Sequence, residues 1–241
     1  MRSVPHFEGN WATHIYIRVP NTKEVVRLAQ ACIGKGRRRL KKVLLEGEGE
    51  GGGLVVNDLT LEESEEEEEE EEGEGEKRGG GGQHLSLSRT VYLRSHHIEP
   101  FVADLRKALS WARAFILRFA GGGREGGRGG GLLVNDEKTR SFLTVPVEEG
   151  GEERLLRLVG SVDEVLRRYR LPVYYEEPLF HLSVASVRGD VGEAWREGGG
   201  EDEAEGEEKE GEEKGEGAAV YVSRVECRIG QKLFGILLRE D

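Results

Sequence analysis

From Thr13 to Val19 apolar and polar residues alternate with period two, which predicts a strand closed by Pro20-Asn21. Thr22 then stands as N-cap to a helix with Val25, Val26, Ala29, Cys32 and Ile33 on one face, ended at Gly34 and Gly36. Leu40 to Leu45 reads as a further strand. Period two returns at His84-Leu85-Ser86-Leu87-Ser88 and again at His181-Leu182-Ser183-Val184. Between Ser95 and Phe119 the spacing turns helical, through Ile98, Phe101, Leu105, Leu109, Ala112, Ile116 and Phe119. Pro100 suits the first turn of that helix, and Gly121-Gly122-Gly123 stops it. Leu132 to Asn135 and Thr139 to Val147 predict a hairpin turning near Asn135-Asp136. Glu152 to Arg170 predicts a second strong helix, which Pro172 prevents from continuing. Ala219 to Glu226 and Lys232 to Leu238 alternate as a closing pair of strands. Strands and helices mixed in this order, with hairpin links, imply an α+β fold in which helices cover antiparallel sheets.

Three stretches interrupt the pattern: 46–82, 121–131 and 193–217, all rich in Gly or Glu. Like-charge repulsion and the lack of apolar residues leave such segments unable to offset their ordering entropy, so all three are expected to be disordered insertions. Leu54-Val55-Val56 is the one part of the first that could pack. Residues 121–131 also lack the Lys-Ser/Thr ending of a phosphate-binding P-loop. At 241 residues the chain suits one domain, 1–241, built as two similar lobes whose elements interleave in sequence.

The formal net charge of −12 argues superficially against a partner rich in phosphate. It comes from two tracts, however. Residues 46–82 hold sixteen acids and two bases, and residues 193–217 hold twelve acids and three bases. The rest of the chain is strongly basic, the footprint of a surface that handles phosphate backbones. Cys32 and Cys227 show no CxxC spacing, so a reducing compartment is expected. With no secretory h-region and no apolar run near 18 residues, the expectation is a soluble intracellular protein. Arg37-Arg38-Arg39 with Lys41-Lys42 could serve as a nuclear signal, although such runs are more often plain solvated surface.

The chemistry lies in the two repeated strands. Alternation sends His84 and Ser86 to one face with Leu85 and Leu87 on the other, and treats His181 and Ser183 against Leu182 and Val184 in the same way. A lone His-x-Ser is more often an ordinary strand histidine with a satisfied hydrogen bond. Two near-identical copies among only six histidines reverse that preference. Facing one cleft, they offer two imidazoles and two hydroxyls around one small anion. A neutral histidine can take a proton from an attacking hydroxyl, while a protonated one gives a proton to the leaving oxygen. The serines can bond the non-bridging oxygens of a phosphate as charge builds there. The scheme needs no metal and no cofactor. Ser88 shares the face but stands outside the repeat. His96 and His97 make a poor metal pair, and His6 and His14 have no partner at ligand spacing.

The pair of motifs resembles the two-histidine (2H) phosphoesterase superfamily. The wider wording resembles one branch of it, the U6 small nuclear RNA phosphodiesterases. The matching pieces are Gly9 to His14, His84 to Ser88 running through Val91-Tyr92-Leu93-Arg94 to Val102, Glu137 to Arg140 with Phe142, Tyr175 to Pro178, and Phe180 to Ser183 with Gly189-Asp190, with a looser match from Val225 to Phe234. The resemblance implies a bilobal 2H-phosphoesterase-like fold with a central cleft, His84 and His181 as catalytic residues, and Ser86 and Ser183 on the phosphate. It implies that Tyr175 stacks on the terminal base, a common way to hold single-stranded RNA. It further implies a metal-independent 3′→5′ exonuclease trimming the 3′ oligouridine end of U6 RNA in the nucleus, acting as a monomer and leaving a 2′,3′-cyclic phosphate. Alternatives are a 2′,3′-cyclic phosphodiesterase working on RNA ends and a catalytically silent RNA-binding module. Two complete motifs speak against the last. Which histidine is the base stays open, as does any role for Lys138 and Arg140 beyond charge.

Overall fold

The computed structural model describes residues 9–41, 57–59, 83–121, 131–198 and 217–240. The fold is α+β, with antiparallel sheets and few helices, as the pattern predicts. The first sheet is organised by the long strand β1 (Asn10–Val19). One edge of β1 pairs with β3 (Gln83–Ser86) along its second half and with β4 (Val91–Arg94) along its first. Its other edge pairs with β10 (Arg224–Ile229), which carries β11 (Lys232–Leu237) outside it. The second sheet runs β2 (Asn57–Asp58), β8 (His181–Arg188), β7 (Arg140–Pro146) and β6 (Gly131–Val134). A two-stranded ribbon of β5 (Phe115–Phe119) and β9 (Ala218–Val222) completes the strands among the described residues.

Helix α1 (Lys23–Arg39) starts where Thr22 accepts a hydrogen bond from the Val25 amide, as the capping pattern predicts. It does not stop at Gly34 or Gly36. A Cβ on Gly36 would stand 2.4 Å from a methyl of the buried Leu143, so this glycine lets the helix approach β7 rather than ending it. Leu40, expected in a strand, instead closes this helix and is buried; 42–45 lie outside the described residues.

The single helix expected from Ser95 to Phe119 is three pieces. A 3₁₀ turn (Ser95–His97) leads into α2 (Ile98–Ala108), and the chain then turns into β5. Phe115, Leu117 and Phe119 are buried while Ile116 lies exposed, a period of two that overlaps the helical spacing at Ala112 and Phe119. The hairpin of β6 and β7 forms as expected, because the Asn135 side-chain oxygen accepts the amides of Thr139 and Arg140 and turns the chain. Helix α3 (Glu152–Arg168) matches the expectation and packs against α2. The closing alternation divides at Ser223: β9 joins the ribbon, while β10 crosses to the first sheet.

Two of the low-complexity tracts contain ordered anchors. Asn57 and Asp58 pair with Ser186 and Ala185 on β8, the Leu59 amide donates to the Val184 carbonyl, and Asp58 accepts from Gln30 on α1 at 2.6 Å. Leu54–Val56 lies outside the described residues. In the other tract, Gly192–Glu197 forms a short helix, α4. Its Trp195 lies against the core and under the Arg39 guanidinium, and the Trp195 carbonyl accepts from Arg39 at 2.6 Å. Low complexity in the neighbouring sequence hides these short paired segments. Cys32 and Cys227 are free, and burial pushes their thiols up to about 11 and about 12.

Candidate active site

β3 ends at Ser86 because the chain bulges immediately after it. The amides of Leu87 and Ser88 both donate to the Ile15 carbonyl, and the Ser88 hydroxyl accepts the Ile15 amide at 2.9 Å. A hydroxyl thus replaces one rung of the ladder, and pairing resumes at β4. Ser88 is buried by this task and does not share the open face of His84 and Ser86. Leu85 is fully buried, which leaves His84 exposed and Ser86 half-buried on the opposite face.

Register partners across an antiparallel pair share a face. On β1, Arg18 lies opposite His84 and Tyr16 opposite Ser86; on the far edge, Tyr16 lies opposite Glu226 and His14 opposite Arg228. These side chains form one polar strip along the first sheet. His14 Nε2 lies 3.0 Å from the Ser86 hydroxyl. The His14 ring meets His84 edge-on at 5.1 Å, and Tyr16 packs 5.2 Å from each. Burial next to His84 and Arg228 holds the His14 pKa down at about 3, so its imidazole is neutral. Burial and the Glu226 carboxylate push the Tyr16 hydroxyl upward.

The second motif opens β8. His181 lies opposite Pro146 and Ser183 opposite Thr144, just past a register shift in β7. Leu182 and Val184 are buried, which turns His181 and Ser183 to the other face. The Nδ1 of His181 lies 2.5 Å from the Leu179 carbonyl. A carbonyl only accepts, so Nδ1 carries the proton and Nε2 keeps its lone pair. Burial draws the His181 pKa below its ordinary value, partly offset by that hydrogen bond. β3 and β8 lie beside one another, so the motifs stand on neighbouring strands of two different sheets.

Tyr175 stands on the loop between α3 and β8. Buried Asp163 on α3 accepts the Tyr174 amide at 2.9 Å, and Tyr174 is buried against Phe180, which leaves Tyr175 outward and 46% exposed. Arg89, directly after the first motif, lies 4.8 Å over the Tyr175 ring and pairs with Asp136 of the β6–β7 turn at 2.6 Å. The Tyr175 hydroxyl also reaches Asp136, at 3.4 Å. Lys138 faces Asp190 at 4.0 Å. His96 and His97 pack on each other, and His97 edges Tyr169, outside this arrangement. Among the described residues no three His, Cys, Asp or Glu side chains are grouped to hold a metal.

A family model described as "HVSL: Uncharacterised conserved protein" matches residues 1–237. The chain belongs to the HVSL family. It is 28% identical over 239 residues to U6 snRNA phosphodiesterase 1 of Bos taurus, covering 99% of this chain and 74% of that protein. It is 26% identical over 239 residues to the Homo sapiens protein of the same name, with the same two coverages. Among solved structures, Kluyveromyces marxianus Usb1 superposes with a TM-score of 0.57 at 13% identity, covering 94% of this chain and 98% of that one. The same protein with uridine monophosphate gives 0.52 at 14%, covering 95% and 98%. The likeness to Usb1 is one of fold. HVSL membership and these relatives bear out the resemblance read from the sequence, to the U6 phosphodiesterase branch of the 2H phosphoesterases.

For this HVSL chain, sequence reasoning missed His14, which was given no partner and in the structure touches both His84 and Ser86. The available signal was its place in period with Tyr16 and Arg18 on the polar face of β1.

Proposed function

We propose that this protein is a phosphodiesterase that shortens RNA from its 3′ end, with the oligouridine terminus of U6 small nuclear RNA as substrate, in the nucleus. The relatives' activity and the placement of two His-x-Ser motifs on adjacent strands support this reading. The observation that carries the mechanism is the 2.5 Å approach of His181 Nδ1 to the Leu179 carbonyl, which puts the proton on Nδ1. The Nε2 lone pair suits His181 to take the proton of the 2′-hydroxyl beside the scissile phosphate. The 2′-oxygen then bonds to phosphorus, the bond from phosphorus to the 5′-oxygen breaks, and protonated His84 gives that oxygen its proton. The products are a shortened RNA ending in a 2′,3′-cyclic phosphate and a released nucleoside with a 5′-hydroxyl. Ser86 and Ser183 bond the non-bridging oxygens, and Tyr175 stacks on the terminal base.

The test is 5′-labelled oligouridine, resolved by length and end group. The expected result is loss of one 3′ nucleotide in the first step, resistance of RNA bearing a 3′-phosphate, and a complete block by 2′-deoxyuridine at the penultimate position. Internal cutting of a circular RNA, or release past the deoxy block, overturns the exonuclease. Opening of a cyclic phosphate without any shortening supports the reverse reaction instead.

A further inference from the structure

β1 carries into the site a third histidine that neither motif accounts for. His14 is joined to the phosphate-binding serine of the first motif, at 3.0 Å from Nε2 to the hydroxyl oxygen, and its ring forms a wall against His84. Ser86 has one hydroxyl proton and two lone pairs. If Nε2 accepted that proton, Ser86 would turn only lone pairs toward a phosphate oxygen, which is repulsive. If Nε2–H donates instead, the hydroxyl proton stays free to point at the phosphate.

We propose that His14 is a positioning residue whose Nε2–H holds the Ser86 oxygen and aims the Ser86 proton at the non-bridging phosphate oxygen. The proposal rests on the function proposed above. His14 is a poor rival to the acid–base pair, since an imidazole with a pKa of about 3 is a feeble base at neutral pH. Its neutrality also matters to its neighbour. A cation 5.1 Å from His84 would oppose the protonated form that His84 needs as the acid. Across the register with β10, Tyr16 stands opposite Glu226 and His14 opposite Arg228, so the next strand backs this part of the strip.

The experiment combines two measurements on the full chain. First, His14→Leu and His14→Gln are made alone and with Ser86→Ala, and kcat and KM are read on oligouridine. His14→Leu is expected to lower kcat about 10-fold with KM within about two-fold, the scale of one hydrogen bond strengthened in the transition state. In the Ser86→Ala background the same change is expected to cost less than about two-fold, because the two groups act as one unit. Gln places an N–H near the position of Nε2 and is expected to recover activity to within about three-fold. Equal losses from His14→Leu in both backgrounds overturn the proposal, since a general structural role would multiply with Ser86→Ala. Second, imidazole ¹⁵N NMR on the unliganded protein reads the His14 tautomer without any turnover. Protonation at Nε2 is expected; a ring protonated at Nδ1 overturns the proposal even if the RNA assay shows no cleavage. Loss of the function reading shows separately, as normal cleavage by His84→Ala or none by the unaltered chain.

Discussion

In the proposed reaction His181 meets its substrate with the proton already committed to the Leu179 side, which leaves only Nε2 for chemistry. Replacing His181 or His84 by Ala is expected to lower turnover by about 10²–10⁴-fold each while RNA affinity stays within a few-fold, measured by single-turnover rates and filter binding. Near-normal turnover in either variant would sink the two-histidine scheme. The His181 pKa is lowered from 6.5, so in kcat/KM against pH the acidic limb is expected below 6.5; a limb above it would remove His181 as the base. His14 gives a second pH signature, in stability. Its folded pKa of about 3 lies under the unfolded 6.5, so its neutral burial contributes fully above pH 6.5 and is lost as pH falls toward 3. Denaturant titrations across that range are expected to show a smaller acid loss in His14→Leu than in the unaltered chain. At the rim, Tyr175→Ala is expected to weaken RNA binding by about 1–3 kcal/mol, as for a ring that stacks on one base. Alternation along single strands made the shared face of His84 and Ser86, and that of His181 and Ser183, legible in the sequence. His14 was not, because its partner Ser86 lies 72 residues away and reaches it only through the register of β1 with β3.

The elements that sequence pattern read well are those whose burial is one-sided and long. Helix α3 presents Leu155, Leu158, Val162, Val165 and Leu166 to the core at helical spacing, and no strand period competes there. The segment after α2 was misread because Leu109, Ala112, Ile116 and Phe119 continue the helical spacing with no Gly or Pro to break it. The glycines of α1 were misread in the opposite sense, since Gly36 answers to Leu143 on another element. Gly230, in the turn between β10 and β11, combines both reasons for a glycine. Its φ is +58°, and a Cβ there would stand 2.5 Å from the Trp11 ring at the start of β1. Its amide also donates to the Ala12 carbonyl at 2.8 Å, tying the hairpin to that strand. Gly230→Ala is expected to destabilise by about 2 kcal/mol, a fall in Tm of about 4–8 °C by calorimetry. An unchanged Tm would show that neither the φ of Gly230 nor the Trp11 ring demands a glycine there.

Across the whole molecule, the acidic tracts divide into anchors and spans. Deleting 62–78 is expected to leave fold and turnover intact and to tighten RNA binding at low salt, because twelve acids and two bases leave the chain with it. Extending the deletion to include Asn57–Leu59 is expected to lower Tm, because β8, which carries His181, loses its partner on one edge. Equal Tm values for the two deletions would remove β2 from the account. The central place of β1 has a further consequence, in time rather than in space. Its pairing with β10 joins Thr13 to Ile229, so the strip bearing His14 and His84 is closed by residues about two hundred positions later. Closing so long a loop costs on the order of 5 kcal/mol of chain entropy before any contact rewards it, and pairings this distant make folding slow. During synthesis β3 and β4 can settle on one edge of β1 while its other edge stays bare until β10 leaves the ribosome. The nascent chain therefore carries its first histidine motif without the strand that braces it until Arg224–Ile229 has followed, and in that interval the bare edge of β1 is open to mispairing.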